Sequence, residues 1–354
     1  METKRIKLTG KEKFLVVRTD RIGDVILSTP VLEAVKETYP HSQIYMLVSP
    51  YTKDILKNNP FLDGLILDEK KGIGGFFSLL KEVRKHKFDV AVLLYPTFAL
   101  AFLLWLSRIK VRIGNGYRAY QLFFNQKIYQ HRSLIEKHES EYNLDMLVPL
   151  GISPKKRLPK MFLSPEERQS AEFSFSNWGI KDNDQIVVIH PGSGNSALNW
   201  PPEKFGLFAD KLIEKKNIKI ILTGSEKERE LTNKVKSSVK NPVLDLTGKT
   251  TLRELACLLE RSEVIVSGST GPMHMASALG TPVVALFCPI FVTGPKRWGP
   301  LGEGHETILP PVPTCKKCNP ESCSYFPCME KIEVDEVMAK VINILERKTN
   351  LLVK

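Results

Sequence analysis

The sequence predicts an α/β protein made of two Rossmann-like domains with parallel sheets. Three observations predict it. Strand-like and helix-like segments alternate along 354 residues, a length that suits two domains of about 150 residues each. The strand candidates are unbroken apolar runs rather than alternating patterns, which implies burial on both faces and hence parallel pairing. The series pauses at a polar stretch punctuated by Pro154, Pro159 and Pro165, then begins again.

In the first half, residues 13–18 (KFLVVR) read as a strand and 24–38 as the helix that follows it. Residues 44–48 and 65–67 read as strands, 76–86 as a helix, and 88–94 and 111–113 as the closing strands. The signal is mixed beyond Tyr117, with a helix over 139–150. The linker is placed at 158–183 and the domain boundary at 165/166. In the second half, 185–190, 218–223, 243–246, 264–266 and 283–287 read as strands. Helices fall between them at 203–215, 226–238, 252–261 and 272–279, and a last helix covers 334–347.

Composition narrows the function classes. Hydrophobic residues make up 42% and charged residues 25%, which argues against a disordered, collagen-like or disulfide-scaffold chain. The net charge of +12 points to an acidic partner: nucleic acid, an anionic membrane surface or a phosphorylated substrate. No recognised nucleic-acid motif is present. The basic N-terminal segment lacks a long apolar run and a cleavage site, so secretion is not expected. Residues 90–106 carry no charge, the lower limit for a spanning helix. Pro96 divides them into a strand (88–94) and a short apolar helix (97–107), part of which could face a membrane surface. A cytosolic chain would keep its six cysteines reduced.

Four segments carry chemistry. RTDRIGDVILSTP, residues 18–30, lies where a strand passes into a helix, the place where open α/β sheets bind ligands. Gly23 allows a tight turn. Asp24 falls at the helix start, either as an N-cap or as a general base at the edge of a crevice. Arg18, Asp20 and Arg21 are near enough to modulate it or to bind an anion. HPGSGNSALNWPPEKF, residues 190–205, follows a strong strand. Gly192 to Ala197 matches the dinucleotide fingerprint, which would suggest a nicotinamide-dependent oxidoreductase. That fingerprint needs a helix opening within the glycines, whereas Asn199, Pro201 and Pro202 move the helix start to about 202. Such a loop offers amide and hydroxyl donors to a phosphate.

VSGSTGPMHMASALGTPVVALF, residues 266–287, places Ser269, Thr270 and Gly271 before a helix, an anion site by dipole and hydrogen bonds. His274 alone reads as structural, and Met273, Met275 and Ala278 as core. The fourth segment holds Cys315, Cys318, Cys323 and Cys328. Four thiols could hold a structural zinc, although the last two spacings lack a C-x2-C pair. Buried thiols are the alternative.

Together these motifs resemble glycosyltransferase family 9, the ADP-heptose:lipopolysaccharide heptosyltransferases. RIGDVILSTPVLEAVKETYP, HPGSGNSALNWPPEKF, ILTGSEKERE, DLTGKTTLRELACLLERSEVIVSGSTGPMHMASALGTPVVALF and the cysteine cluster follow in family order over nearly the whole chain. The resemblance implies a GT-B fold, two Rossmann-like domains with parallel sheets facing a central cleft. The acceptor would bind residues 1–165 and the nucleotide sugar residues 166–354, with the last helix packing back on the first domain. The implied reaction is an inverting transfer of heptose from ADP-heptose to Kdo or heptose of the lipopolysaccharide inner core. It would need no cofactor and no metal. A relative moving a different sugar in cell-envelope glycan assembly is the alternative.

In the same resemblance Asp24 is the general base. Ser193, Gly194, Asn195 and Ser196 hold the donor diphosphate together with Ser269, Thr270 and Gly271. Thr223, Gly224 and Glu228 lie near the ribose, Thr247 and Gly248 line the adenine side, and His274 matches the last donor motif. Arg18, Arg21 and Gly23 would bind acceptor or phosphate. Two positions depart from the pattern. Leu198 and Asn199 stand where many members have Lys-Arg, so that Arg18, Arg21 or Lys249 would supply the cation, and Ser269 stands where many have Asp. The implied partners are the donor and a lipid A-linked core oligosaccharide. The implied location is cytoplasmic, in peripheral contact with the anionic inner face of the inner membrane.

Overall fold

The computed structural model describes residues 6–69, 72–194 and 197–352. They form two compact units divided between Phe162 and Leu163. The first contains β1 (Lys13–Val17), α1 (Ile22–Ile26), α2 (Thr29–Thr38), β2 (Gln43–Val48), β3 (Gly64–Leu67), α3 (Gly72–His86), β4 (Val90–Leu93), α4 (Phe98–Leu106), β5 (Val111–Asn115), β6 (Gln126–Ile128) and α5 (Glu139–Asp145). Its sheet runs β3-β2-β1-β4-β5-β6, every neighbouring pair parallel. All of β4, and β1 from Phe14 to Val17, is buried, because helices cover both faces of a doubly wound sheet.

The second unit contains α6 (Pro165–Asn177), β7 (Ile186–His190), α7 (Pro202–Lys215), β8 (Lys219–Leu222), α8 (Arg229–Ser237), β9 (Leu244–Asp245), α9 (Leu252–Arg261), β10 (Val264–Gly268), α10 (Gly271–Leu279), β11 (Val283–Leu286), α11 (Pro295–Trp298), β12 (Glu306–Ile308) and α12 (Val334–Leu352). Its sheet runs β12-β11-β10-β7-β8-β9, again all parallel. Read from the other edge this is the same order as the first. The strand order therefore reverses between β1 and β4 in one sheet and between β7 and β10 in the other.

Several elements depart from expectation. The helix expected over 24–38 is two helices. Pro30 has no N–H to give the carbonyl of Ile26, and the Thr29 hydroxyl bonds that carbonyl instead, at 2.8 Å. The linker expected at 158–183 contains α6. Ser164 and Glu167 close a capping box on it, each side chain accepting from the other's backbone N–H at 3.2 and 3.1 Å. Edge strands β6 and β12 were not expected. The last helix packs on the second unit: Val337, Met338, Val341 and Ile344 join a core cluster with Trp200, Phe205 and Phe208.

The cysteine segment is a loop whose Cys315, Cys318 and Cys323 are partly exposed, whereas Cys328 enters the core beside Met329 and Ile332. Among the described residues no three His, Cys, Asp or Glu side chains are arranged to hold a metal. The uncharged segment 90–106 is a strand and a nine-residue helix. Among the described residues no helix is long and apolar enough to cross a membrane.

Candidate functional site

In the first unit the polar groups gather where β1 ends. Arg18 follows the last residue of that strand and is 2% exposed. Its Nε donates to Asp20 Oδ1 at 2.7 Å, one terminal nitrogen bonds Asp24, and the other donates to Glu139 Oε1 at 3.1 Å and Asn143 Oδ1 at 3.3 Å. Glu139 and Asn143 are four apart on α5 and so share one face of it. Asn143 Nδ2 also donates to the carbonyl of Leu27 at 3.1 Å and to Ser28 Oγ at 3.3 Å, bracing the break between α1 and α2. Arg132 donates to the same oxygen of Glu139.

Burial opposes a charge on Arg18, and the surrounding carboxylates Asp24, Asp20 and Glu139 outweigh it, so its pKa stands above the usual arginine range. Burial also pushes the Asp20 carboxyl up to about 7; Arg18 resists the shift and Asp24 adds to it.

Asp24 is not the N-cap. Arg21 occupies that position with no side-chain cap bond, and Asp24 lies in the first turn of α1, where the helix dipole favours a carboxylate. Its side chain is 14% exposed. Gly23 is buried beside it, and Arg21 is exposed.

The second unit gathers its predicted residues at the carboxyl ends of β7, β8, β9 and β10. His190 Nδ1 lies 3.1 Å from Thr223 Oγ1, both buried. Burial holds that imidazole below its ordinary pKa although Glu228 opposes the shift. Glu228 accepts from the backbone N–H of Gly194 at 3.1 Å and from the Ser225 amide and hydroxyl at 2.9 and 2.8 Å. Burial works to raise its pKa, but His190 and those donors prevail, and it stands lowered. A Cβ on Gly192 would sit 2.0 Å from Glu228 Oε1, so the loop backbone passes directly against the carboxylate. Gly194 has a left-handed φ of 53°, a conformation glycine adopts without strain.

Thr247 and Gly248 sit beside this group. The Gly248 amide donates to the Gly224 carbonyl at 2.9 Å. Arg229 clamps the turn, bonding Glu226 and, at 2.6 Å, the Thr247 carbonyl. Lys249 Nζ is turned to the Asp245 carbonyl at 2.9 Å. Helix α7 opens at Pro202, well after Gly194, so the glycines do not open a helix as a dinucleotide fingerprint requires. Asn195 and Ser196 lie outside the described residues.

Thr270 is the N-cap of α10, its side chain accepting from the Met273 amide at 3.4 Å. Pro272 has no N–H and Thr270 takes the Met273 amide, so Ser269, Thr270 and Gly271 lead into a capped helix start. Strand β10 runs beside β7 with Ser267 opposite His190. The loop after β7 and the start of α10 therefore share the switch point of the second sheet. His274 is buried, 5% exposed, one turn into α10.

Glu139, Asn143 and His190 were not singled out by sequence reasoning. For the first two the available signal was the polar i, i+4 pair in a helix that otherwise buries Tyr142 and Leu144.

The sequence profile of glycosyltransferase family 9 (heptosyltransferase) matches residues 76–328. Lipopolysaccharide heptosyltransferase 3 of Escherichia coli is 29% identical over 275 residues, 75% of this chain and 80% of that one. A family 9 glycosyl transferase structure from Veillonella parvula superposes with a TM-score of 0.82 at 24% identity, covering 98% of this chain and 99% of that one. The structure of E. coli ADP-heptose lps heptosyltransferase II gives a TM-score of 0.80 at 20% identity, covering 95% and 99%. These two likenesses establish the fold, the GT-B architecture of paired Rossmann-like domains. With the profile covering most of its length, the chain belongs to glycosyltransferase family 9 (heptosyltransferase) and is a glycosyltransferase.

Proposed function

We propose that the protein transfers heptose from ADP-heptose to Kdo or heptose of the lipopolysaccharide inner core, with inversion at the anomeric carbon. The observation that carries the reading is that both sheets present polar groups at their switch points: Asp24 beside β1 in one, Ser269, Thr270 and Gly271 beside β10 in the other. In this reading Asp24 takes the proton of an acceptor hydroxyl. The freed oxygen pair forms the new bond to the anomeric carbon while the bond from that carbon to the diphosphate oxygen breaks, and ADP leaves with that pair. Arg18 holds Asp24 in place through the bond from its terminal nitrogen. Arg21 and Gly23 border the acceptor.

The donor diphosphate is held by donors among Ser193, Gly194, Asn195, Ser196, Ser269, Thr270 and Gly271, which stabilise the charge that develops on the leaving group. Glu228, with Thr223 and Gly224, accepts from the ribose hydroxyls. Thr247 and Gly248 border the adenine, and His274 supports the start of α10. The step uses no metal, and transfer is expected to persist in excess EDTA. The acceptor is lipid-linked, so the protein works from the cytoplasm in peripheral contact with the anionic face of the inner membrane.

The test is a comparison of donors. ADP is expected to raise the melting temperature more than UDP or NAD does, because a ligand stabilises the state it binds. ADP-heptose is expected to give a heptose adduct on a defined core acceptor. Faster transfer from another nucleotide sugar would move the protein to the alternative, a relative building a different envelope glycan. The Ser269 and Leu198-Asn199 departures favour that second reading.

A further inference from the structure

We propose that the exposed face of α3 and α4 in the first unit docks on an anionic lipid bilayer, with its aromatic side chains entering the headgroup layer. The proposal rests on the membrane contact proposed above and deepens it by naming the surface. Helix α4 reads FALAFLLWL, apolar around its whole circumference. One side packs in the core through Leu100, Ala101, Leu103 and Leu104. The other side faces water: Phe98 is 61% and Trp105 47% exposed.

These rings are part of a continuous patch. Phe76 of α3 stacks on Phe102 with centroids 6.0 Å apart, Phe102 stacks on Trp105 at 5.8 Å, and Phe123 meets Phe98 edge-on at 5.5 Å. Phe77 and Leu122 extend the margins, 59% and 82% exposed. A contiguous apolar patch on a water-facing surface marks an interaction site.

Charge selects the occupant. Residues 90–135 contain no Asp or Glu, but they contain Arg108, Lys110, Arg112, Arg118, Lys127 and Arg132. Arg108 and Lys110 follow the end of α4 and Arg118 precedes the turn that carries Leu122 and Phe123; all three are exposed. Arg84 of α3 reaches over to the Leu106 carbonyl at 2.8 Å. A second copy docking by a two-fold axis would set this basic rim against itself. An anionic bilayer satisfies both features: the rings enter the interface and the cations meet lipid phosphates.

The test uses the full chain and phosphatidylcholine vesicles with and without phosphatidylglycerol. Cosedimentation is expected only with the anionic lipid and is expected to weaken with salt. Brominated acyl chains are expected to quench tryptophan emission, and Trp105→Phe to remove most of that quenching. Phe98→Ser combined with Leu122→Ser is expected to lower partitioning about tenfold or more. Both side chains are exposed, so the melting temperature is expected to hold. If the variants bind like the parent and Trp105→Phe leaves quenching unchanged, this face is not the docking surface although the membrane contact stands. Failure of the parent to bind anionic vesicles overturns both. A dimer that the patch variants dissociate, with vesicle binding untouched, assigns the face to a second copy and overturns the proposal.

Discussion

Arg18 is the residue around which the first unit's site is organised. A guanidinium at this depth persists only because carboxylates surround it, and it fixes Asp24 in return. The cost falls on Asp20, which holds a proton in the folded protein at pH values where an unfolded chain has released it. Its contribution to stability is therefore complete below about pH 4 and is lost as pH rises through about 7. Asp20→Asn is expected to flatten this dependence, so that denaturation midpoints at pH 5 and pH 8 differ less than in the parent. An unchanged difference would remove Asp20 as the titrating group. In the second unit, Gly192→Ala would drive a methyl against Glu228. That substitution is expected to raise the KM for the donor severalfold with little change in melting temperature, measured by initial rates. Loss of fold instead would make Gly192 a structural residue only. Arg18 and Asp24 were legible in the sequence because they sit on a strand-to-helix turn. Glu139 and Asn143 were not, because only the tertiary fold brings α5 more than a hundred residues along the chain to Arg18.

At the scale of elements, the central strands and the edge strands β3 and β9 were legible, whereas the edge strands β6 and β12 were not. β1, β4, β7 and β10 are buried on both faces and read as apolar runs. β6 (QKI) and β12 (ETI) have one neighbour each and carry polar side chains on an open edge, so no hydrophobic pattern announces them. α6 was hidden for a related reason: only Ala171 and Phe175 of its residues are buried, and its signature is the Ser164–Glu167 capping box. α12 was legible as a helix. Trp200, 1% exposed, donates its Nε1–H to the Ile332 carbonyl at 3.1 Å, and Lys204 bonds the same carbonyl at 2.9 Å. Together they anchor the segment that leads into α12 to the start of α7. Trp200→Ala is expected to destabilise the second unit by about 3–5 kcal/mol, read by chemical denaturation. A loss under about 1 kcal/mol would show that α12 is held without this anchor.

At the scale of the whole molecule, the two sheets repeat one strand order, and the repeat was legible because each series begins with a strong apolar strand after a polar stretch. The net charge of +12 is now divided by location. Arg18 and Arg132 are paired with carboxylates and add nothing to it. Part of it lies in the carboxylate-free stretch around α4. Membership of glycosyltransferase family 9 gives the class of reaction, and Asp24 carries the proposal for how this chain performs it. The most direct test follows the anomeric proton of the product by NMR as the protein consumes ADP-heptose on a defined core acceptor, with Asp24→Asn in parallel. The account predicts an inverted linkage from the parent, and a variant that turns over about 10²–10⁴-fold more slowly while binding ADP as before. A retained linkage, or near-normal turnover by Asp24→Asn, would contradict it.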